Sequence, residues 1–341
     1  MPKTAVVILN WNGINFLKKF LPIVIQKTPK DLGKIIVADN GSSDGSLEYL
    51  SSINDVQIIK LDKNYGFTGG YNRVFDILKE EETYQYYLLL NSDVEVSDRW
   101  LDTLIDFMES HPKAGICCPK IKSYHNPNYF EHAGACGGYI DKFGFPYCRG
   151  RILSLVEKDL GQYDDNREIF WASGASLLIR ADLWHQLGGL DKAFFAHMEE
   201  IDLCWRAKLG GQQIWVVPKS EIYHVGGGTL PNESPHKLYL NFRNNLLMIY
   251  KNSDEKTRQK NIFIRKNIDR SIALIYRITG RFELARVINK AHKDFEKLKK
   301  EVKITERKNK VELGNKTLIR IWVETKKSIK QHEKLKITSE K

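Results

Sequence analysis

Ala5-Val6-Val7-Ile8-Leu9-Asn10-Trp11-Asn12-Gly13 and Lys34-Ile35-Ile36-Val37-Ala38-Asp39-Asn40-Gly41-Ser42-Ser43-Asp44-Gly45 share one pattern, a short apolar run that stops at a polar turn. Aliphatic runs of this length bounded by Asn, Asp, Gly and Ser read as buried strands. Two more follow, Gln57–Leu61 leading to Asn64-Tyr65-Gly66-Phe67-Thr68-Gly69-Gly70, and Tyr86–Leu90 leading to Asn91-Ser92-Asp93. Between them Asn15–Gln26, Gly45–Ser51, Thr68–Lys79 and Asp98–Ser110 have helical length and spacing. Strand–helix alternation of this kind predicts an α/β fold, a mostly parallel mixed sheet flanked by helices. In such sheets ligands lie outside the carboxyl ends of the strands. Each polar turn alone is ordinary turn chemistry. Four along one sheet edge converge on one crevice and predict a polar site there.

The 341 residues, 42% hydrophobic and 28% charged, suffice for a large domain with an appendage and exclude collagen-like, low-complexity and wholly disordered chains. No run approaches 18 apolar residues, so no bilayer span is expected. Thr4–Leu9 is too short for a signal-peptide core and reads as the first strand. The odd set of five cysteines, with no CxxC pair, predicts reduced cytosolic thiols rather than disulfides or a zinc site. The net charge of +11 is uneven: residues 1–250 hold 26 Lys+Arg against 30 Asp+Glu, and residues 251–341 hold 27 against 12. Tyr239–Tyr250 has helical spacing, and from Asn261 onward the chain reads as two or three charged helices. Ile264, Ile268, Ile272, Ile275 and Ile278 keep a 3–4 residue period there. The expected boundary falls near residue 250, with a basic helical extension over 251–341.

Asp93 ends a dry strand at the sheet edge, where a lone carboxylate suits a hard divalent cation that keeps sites open for phosphate oxygens. Asp39 could accept from a base or ribose donor, whereas Asp44 and Ser42 more plausibly organise their loop. The glycines of 66–70 are followed by no Gly-Lys-Ser/Thr and do not form GxGxxG, which argues against a P-loop ATPase and a dinucleotide-binding dehydrogenase. Glu199, Glu200 and Asp202 adjoin the aromatic run at Phe194-Phe195. Acidic residues complement a helix N-terminus, but that explains one or two of them. Burial beside aromatics would raise a carboxyl pKa toward that of a general base. Tyr223-His224-Val225 precedes Gly226-Gly227-Gly228-Thr229. The histidine reads as a structural residue or a metal ligand, and the glycines as a flexible cover over phosphates.

Together these pieces resemble the family 2 glycosyltransferases, in particular a rhamnosyltransferase-like branch of bacterial surface-polysaccharide biosynthesis. The resemblance rests on Val7–Gly13, Val37–Gly45, Asn64–Phe67 with Gly69, Gly70 and Asn72, and Leu89–Asp93. It continues through the Gly174 segment, Glu199–Leu203, His224, His236-Lys237 and Arg243-Asn244-Asn245, over roughly residues 3–250. It implies a GT-A nucleotide-sugar-binding fold and an inverting, metal-dependent transfer assisted by Mg or Mn. The donor part would be about 1–95 and the acceptor part about 96–250. Asp39 would contact the nucleobase in a pocket lined by Asn10, Trp11 and Asn12. Asn64, Gly66 and Gly69 would lie along the nucleotide, and Asn91 and Ser92 near the ribose. Asp93 stands where the family's Asp-x-Asp motif places its metal-binding aspartate, and His224 where some relatives complete the metal site. Glu200 matches the catalytic base, with Glu199 and Asp202 as alternatives. In two departures, Asn91 replaces the first Asp of the motif and Glu200 a more usual Asp.

The implied donor is dTDP-rhamnose and the acceptor a glycan or lipid-linked oligosaccharide; other hexosyl or N-acetylhexosaminyl transfer, a non-catalytic nucleotide-sugar-binding scaffold and a nucleotidyltransferase are the alternatives. The basic extension would dock on an anionic membrane surface or cap the domain, with no nucleic-acid partner expected. The expected location is cytoplasmic, at the inner face of the cell membrane.

Overall fold

A computed structural model describes residues 3–81, 83–131, 134–226 and 234–339. The four strands read from sequence are β1 (Thr4–Asn10), β2 (Gly33–Asp39), β3 (Gln57–Lys60) and β4 (Tyr86–Asn91), paired in parallel in the order β4-β1-β2-β3. The helices between and after them are α1 (Ile14–Lys27), α2 (Ser46–Ser51), α3 (Gly66–Glu81) and α4 (Trp100–Ser110). Register puts Asn10 opposite Asp39, Asp39 opposite Lys60 and Leu9 opposite Asn91. The polar turns therefore form one row at the carboxyl edge. Along β1, Ala5 and Val7 pack into the core on one face of the sheet while Val6 and Ile8 pack into the core on the other. This two-sided burial is why the strand is apolar throughout instead of alternating.

Beyond β4 the chain adds β5 (Val94–Val96), β6 (Ala114–Ser123), β11 (Arg167–Ile169), β12 (Ser176–Arg180) and β13 (Gln213–His224) to a nine-stranded sheet among the described residues. The sheet is mixed. β12 lies antiparallel between β4 and β6, because an irregular excursion over 124–175 delivers it rather than a helical crossover. That excursion holds a small antiparallel sheet of β7 (Gly138–Ile140), β8 (Pro146–Cys148), β9 (Arg151–Ile152) and β10 (Leu155–Val156). α5 (Ala181–Leu187) and α6 (Glu199–Leu209) precede β13.

The C-terminal helices are α7 (Pro235–Asn252), α8 (Glu255–Ile278), α9 (Phe282–Leu298) and α10 (Leu318–Ser339). Ser234 caps α7 and Asp254 caps α8, each accepting from a backbone N–H three residues on. The inner faces of α8 and α9, at Ala273, Ala285 and Ile288, pack on Leu238 and Phe242 of α7. All five cysteines are buried and unbridged. Among the described residues, no helix is long and apolar enough to cross a membrane.

Candidate active site

The turns after β1, β2 and β3 are stitched into one cradle. Asp39 is wholly buried; its Oδ2 accepts from Asn10 Nδ2 at 3.2 Å and its Oδ1 from the Ser42 N–H at 2.9 Å. Ser42 Oγ in turn accepts from the Asn12 N–H at 2.9 Å, and Asn12 Oδ1 from the Ser43 N–H at 2.8 Å. Asp44 behaves as the loop organiser anticipated, accepting from the Ile14 N–H at 2.9 Å and the Ser46 N–H at 3.1 Å. Asn40 reaches across to the third turn, its Nδ2 donating to Asn64 Oδ1 at 3.1 Å, while Asn64 Oδ1 also takes the Gly66 N–H at 2.8 Å. Gly41 is required at this junction: its φ is +75°, and a Cβ would lie 2.7 Å from the Lys63 backbone.

At the end of β4, Asp93 faces the end of β13. His224 Nε2 lies 3.1 Å from Asp93 Oδ1 and 3.3 Å from Asn91 Nδ2, and His224 Nδ1 lies 3.4 Å from Glu131 Oε2. All three ionisable groups are buried. Burial alone would push the imidazole pKa down, but the Asp93 and Glu131 carboxylates on either side override it and raise the pKa to about 10. Carboxylate and imidazole donors suit a divalent cation, which would take the place of the proton this arrangement otherwise holds. Among the described residues no three His, Cys, Asp or Glu side chains gather as a complete ligand set. The donors fit a cation that fills its other positions with substrate oxygens.

Into the same cavity α6 brings Glu199 and Glu200 from its first turn. The turn that aims them holds Phe195, His197 and Met198 at φ of 64°, 67° and 72°, all non-glycine residues in the left-handed region. Such positions cost of order 1–3 kcal/mol each and persist only where their surroundings enforce them. α7 does so. The wholly buried Asn244 donates through Nδ2 to the carbonyls of Phe194, Ala196 and His197 at 2.9, 2.8 and 2.7 Å, and Arg243 adds bonds to those of Ala193 and Phe194 at 3.1 and 3.0 Å. Glu199 Oε2, Glu200 Oε2 and His197 Nε2 are buried with no hydrogen-bond partner among the described residues. Burial raises the Glu200 pKa to about 7; burial and the neighbouring Glu200 carboxylate raise Glu199 well above the usual range.

Asp202 is a different kind of residue. Burial would raise its pKa, but Arg206 and Lys251 beside it, with a bond from Asn252, hold it below the usual carboxylate range. Its oxygens take Arg206 Nε at 2.8 Å, Lys251 Nζ at 3.0 Å and Asn252 Nδ2 at 2.8 Å. Asp202→Ala would leave Lys251 to Asp191 alone and Arg206 to the carbonyls of Leu187 and Gly189, and is expected to cost about 3 kcal/mol, read as a lower urea midpoint. Unchanged stability with lost turnover would instead return Asp202 to the chemistry.

One cavity of about 1040 Å³ joins these groups. Of the residues singled out in the sequence, Trp11, Asn12, Asn64, Gly66, Asn91, Ser92, Asp93, His224, Glu199 and Glu200 line it. Asn10, Asp39, Gly69 and Asp202 do not; Asn10 and Asp39 lie beneath the first two turns and hold their shape. Gly227, Gly228 and Thr229, read as a cover, lie outside the described residues. Glu131, His197 and Tyr129 also line the cavity and were not singled out. They sit in irregular segments where no period marks them.

The family model described as Glycosyl transferase family 2 matches residues 5–185. An N-acetylglucosaminyl-diphospho-decaprenol L-rhamnosyltransferase of Mycobacterium tuberculosis is 24% identical over 230 residues, covering 64% of this chain and 75% of that protein. Rhamnosyltransferase WbbL of Escherichia coli K12 is 25% identical over 237 residues, covering 64% and 82%. Among solved structures, GalNAc-T7 with UDP, GalNAc and Mn2+ superposes with a TM-score of 0.57 at 17% identity over 75% of this chain and 49% of that one, so the chain spans about half its length. The architecture is the GT-A fold.

Proposed function

The chain belongs to glycosyl transferase family 2, and from that membership we propose that it is an inverting, cation-assisted transferase moving a rhamnosyl group from dTDP-rhamnose to a hydroxyl of a growing, lipid-linked bacterial surface glycan. The observation that carries the reading is a single cavity lined both by a carboxylate–imidazole pair and by two glutamates, Glu199 buried and Glu200 half-buried, each with a buried, unpartnered carboxyl oxygen. Those are the two kinds of group that a direct displacement at an anomeric carbon needs. The rhamnosyl group is supported by the relatives in Mycobacterium tuberculosis and Escherichia coli, the lipid-linked acceptor by the former, and the cation by the Mn2+ of the GalNAc-T7 structure.

In this reading Asp93 and His224 hold a Mg or Mn ion, which when bound supplies Lewis-acid stabilisation worth several kcal/mol to the departing nucleoside diphosphate. Trp11, Asn12, Asn64, Gly66, Asn91 and Ser92 bind the nucleotide, while Asn10 and Asp39 keep the base-side turns in shape. Glu200 takes the proton of the acceptor hydroxyl as its oxygen bonds to the anomeric carbon from the face opposite the leaving group. The carbon–oxygen bond to the diphosphate breaks with its electron pair, and one displacement inverts the centre. Burial and the Glu200 carboxylate push the pKa of Glu199 beside it upward, which disfavours a second negative charge there. The basic extension at 251–341 meets an anionic membrane surface.

A binding panel of nucleotide sugars with and without Mn tests this. Selective, Mn-enhanced binding of dTDP-rhamnose is expected. Preference for a UDP-hexose or UDP-N-acetylhexosamine would move the chain to another donor, and binding of no donor would reduce it to a scaffold.

A further inference from the structure

Residues 274–282, where α8 ends and α9 begins, form a tip that leaves its apolar side chains uncovered. Leu274, Ile275, Ile278 and Phe282 expose 56, 57, 76 and 58% of their surfaces. A soluble helical hairpin normally turns such residues inward. The inward positions here are already filled, by Ala273, Ile272, Tyr276, Ala285 and Ile288 against Leu238 and Phe242 of α7. Around the apolar tip stand Arg270, Arg277, Arg281 and Arg286, all exposed, against the single exposed carboxylate of Glu283. The other nearby acid, Asp269, is buried against His292.

The place of this tip matters as much as its composition. α8 runs back along α7, so the end of α8 and the start of α9 flank the first turns of α7. Leu238 belongs to that flank, and His236 and Lys237 immediately before it line the cavity. The tip therefore lies beside the cavity's α7 wall.

We propose that the α8–α9 tip is an interfacial docking surface for an acidic bilayer, with Leu274, Ile275, Ile278 and Phe282 entering the headgroup–acyl boundary and the four arginines meeting anionic headgroups. Apolar side chains ringed by basic ones are the composition of a helix that lies in a membrane interface without crossing it. A second copy of this chain is the poorer occupant, because two-fold pairing of the tip would bring its arginines against their own kind. The proposal rests on the lipid-linked acceptor of the proposed function. It gives docking to this tip rather than to the lysine-rich segment beyond it, and sets the bilayer beside the cavity.

The test is flotation of the full chain with vesicles of phosphatidylcholine alone or mixed with phosphatidylglycerol. The wild type is expected to float with the acidic vesicles only, and less so at high salt. The double variant Ile278→Glu/Phe282→Glu is expected to lose about tenfold or more of that binding. Lys326→Glu/Lys327→Glu on α10 should keep it. Equal binding by wild type and tip variant, or loss only in the α10 variant, overturns the proposal. So does a wild-type dimer that becomes monomeric in the tip variant without any vesicle binding. Nucleotide-sugar binding is measured on the same three proteins. Its absence in the wild type would sink the transferase reading whatever the vesicles show, whereas intact donor binding with no flotation would sink the tip alone.

Discussion

Glu200→Gln is expected to lower kcat by about 10²–10⁴-fold, the usual contribution of a general base, while nucleotide-sugar binding stays as in the wild type. The amide keeps the shape and the helix position but cannot accept the hydroxyl proton. In the wild type, kcat should rise with pH through the range set by the Glu200 pKa of about 7, because the base works only when deprotonated. The same substitution should stabilise the fold. The folded-state pKa lies above the ordinary value of 4.5, so between the two values the folded chain holds a proton that the unfolded chain has lost. Stability then falls as pH rises through that window. Glu200→Gln removes this penalty, with an expected gain on the order of 3 kcal/mol at pH 8 that disappears at pH 4, below both values. Urea titrations of the two proteins at the two pH values check it. A variant that is slow yet no more stable at pH 8 would mean that the carboxyl is solvated; one that turns over normally would move the base to Glu199.

Asp93→Ala is expected to abolish Mn-enhanced donor binding and to lower kcat/KM by about 10³-fold or more, the loss that follows from removing several kcal/mol of charge stabilisation on the leaving diphosphate. The fold should survive, since His224 keeps Glu131 as a partner at 3.4 Å. Asp93→Asn sharpens the measurement by retaining the side-chain shape and removing only its charge. Titrating donor with and without Mn against wild type and both variants gives the answer. Wild-type Mn dependence in Asp93→Ala would remove Asp93 from the cation site.

The N-terminal half of the sheet was legible because β1, β2 and β4 are buried on both faces, so their sequences are continuous apolar runs with abrupt polar ends. β12 carries no such sign of direction. Its antiparallel place follows from the long irregular excursion before it, and irregular segments have no period to read. Glu131 was hidden for the same reason. Asp39 was visible as a carboxylate at a strand end, but its burial under Ser42 and Asn10 comes from a turn that closes back over it. With Asp202 the helix itself held the information: two residues beyond Glu200 is a rotation of about 200°, so the two carboxylates cannot share a face.

The clamp from Asn244 ties α7 to the turn before α6 through three backbone carbonyls. Modular swapping is thereby restricted. A chimera joining the nucleotide-binding half of this chain to the C-terminal helices of a relative would need an amide at this position, reaching three carbonyls within 2.9 Å. Without it the left-handed turn would relax and the carboxylates would lose their aim, although every residue of the cavity had been kept.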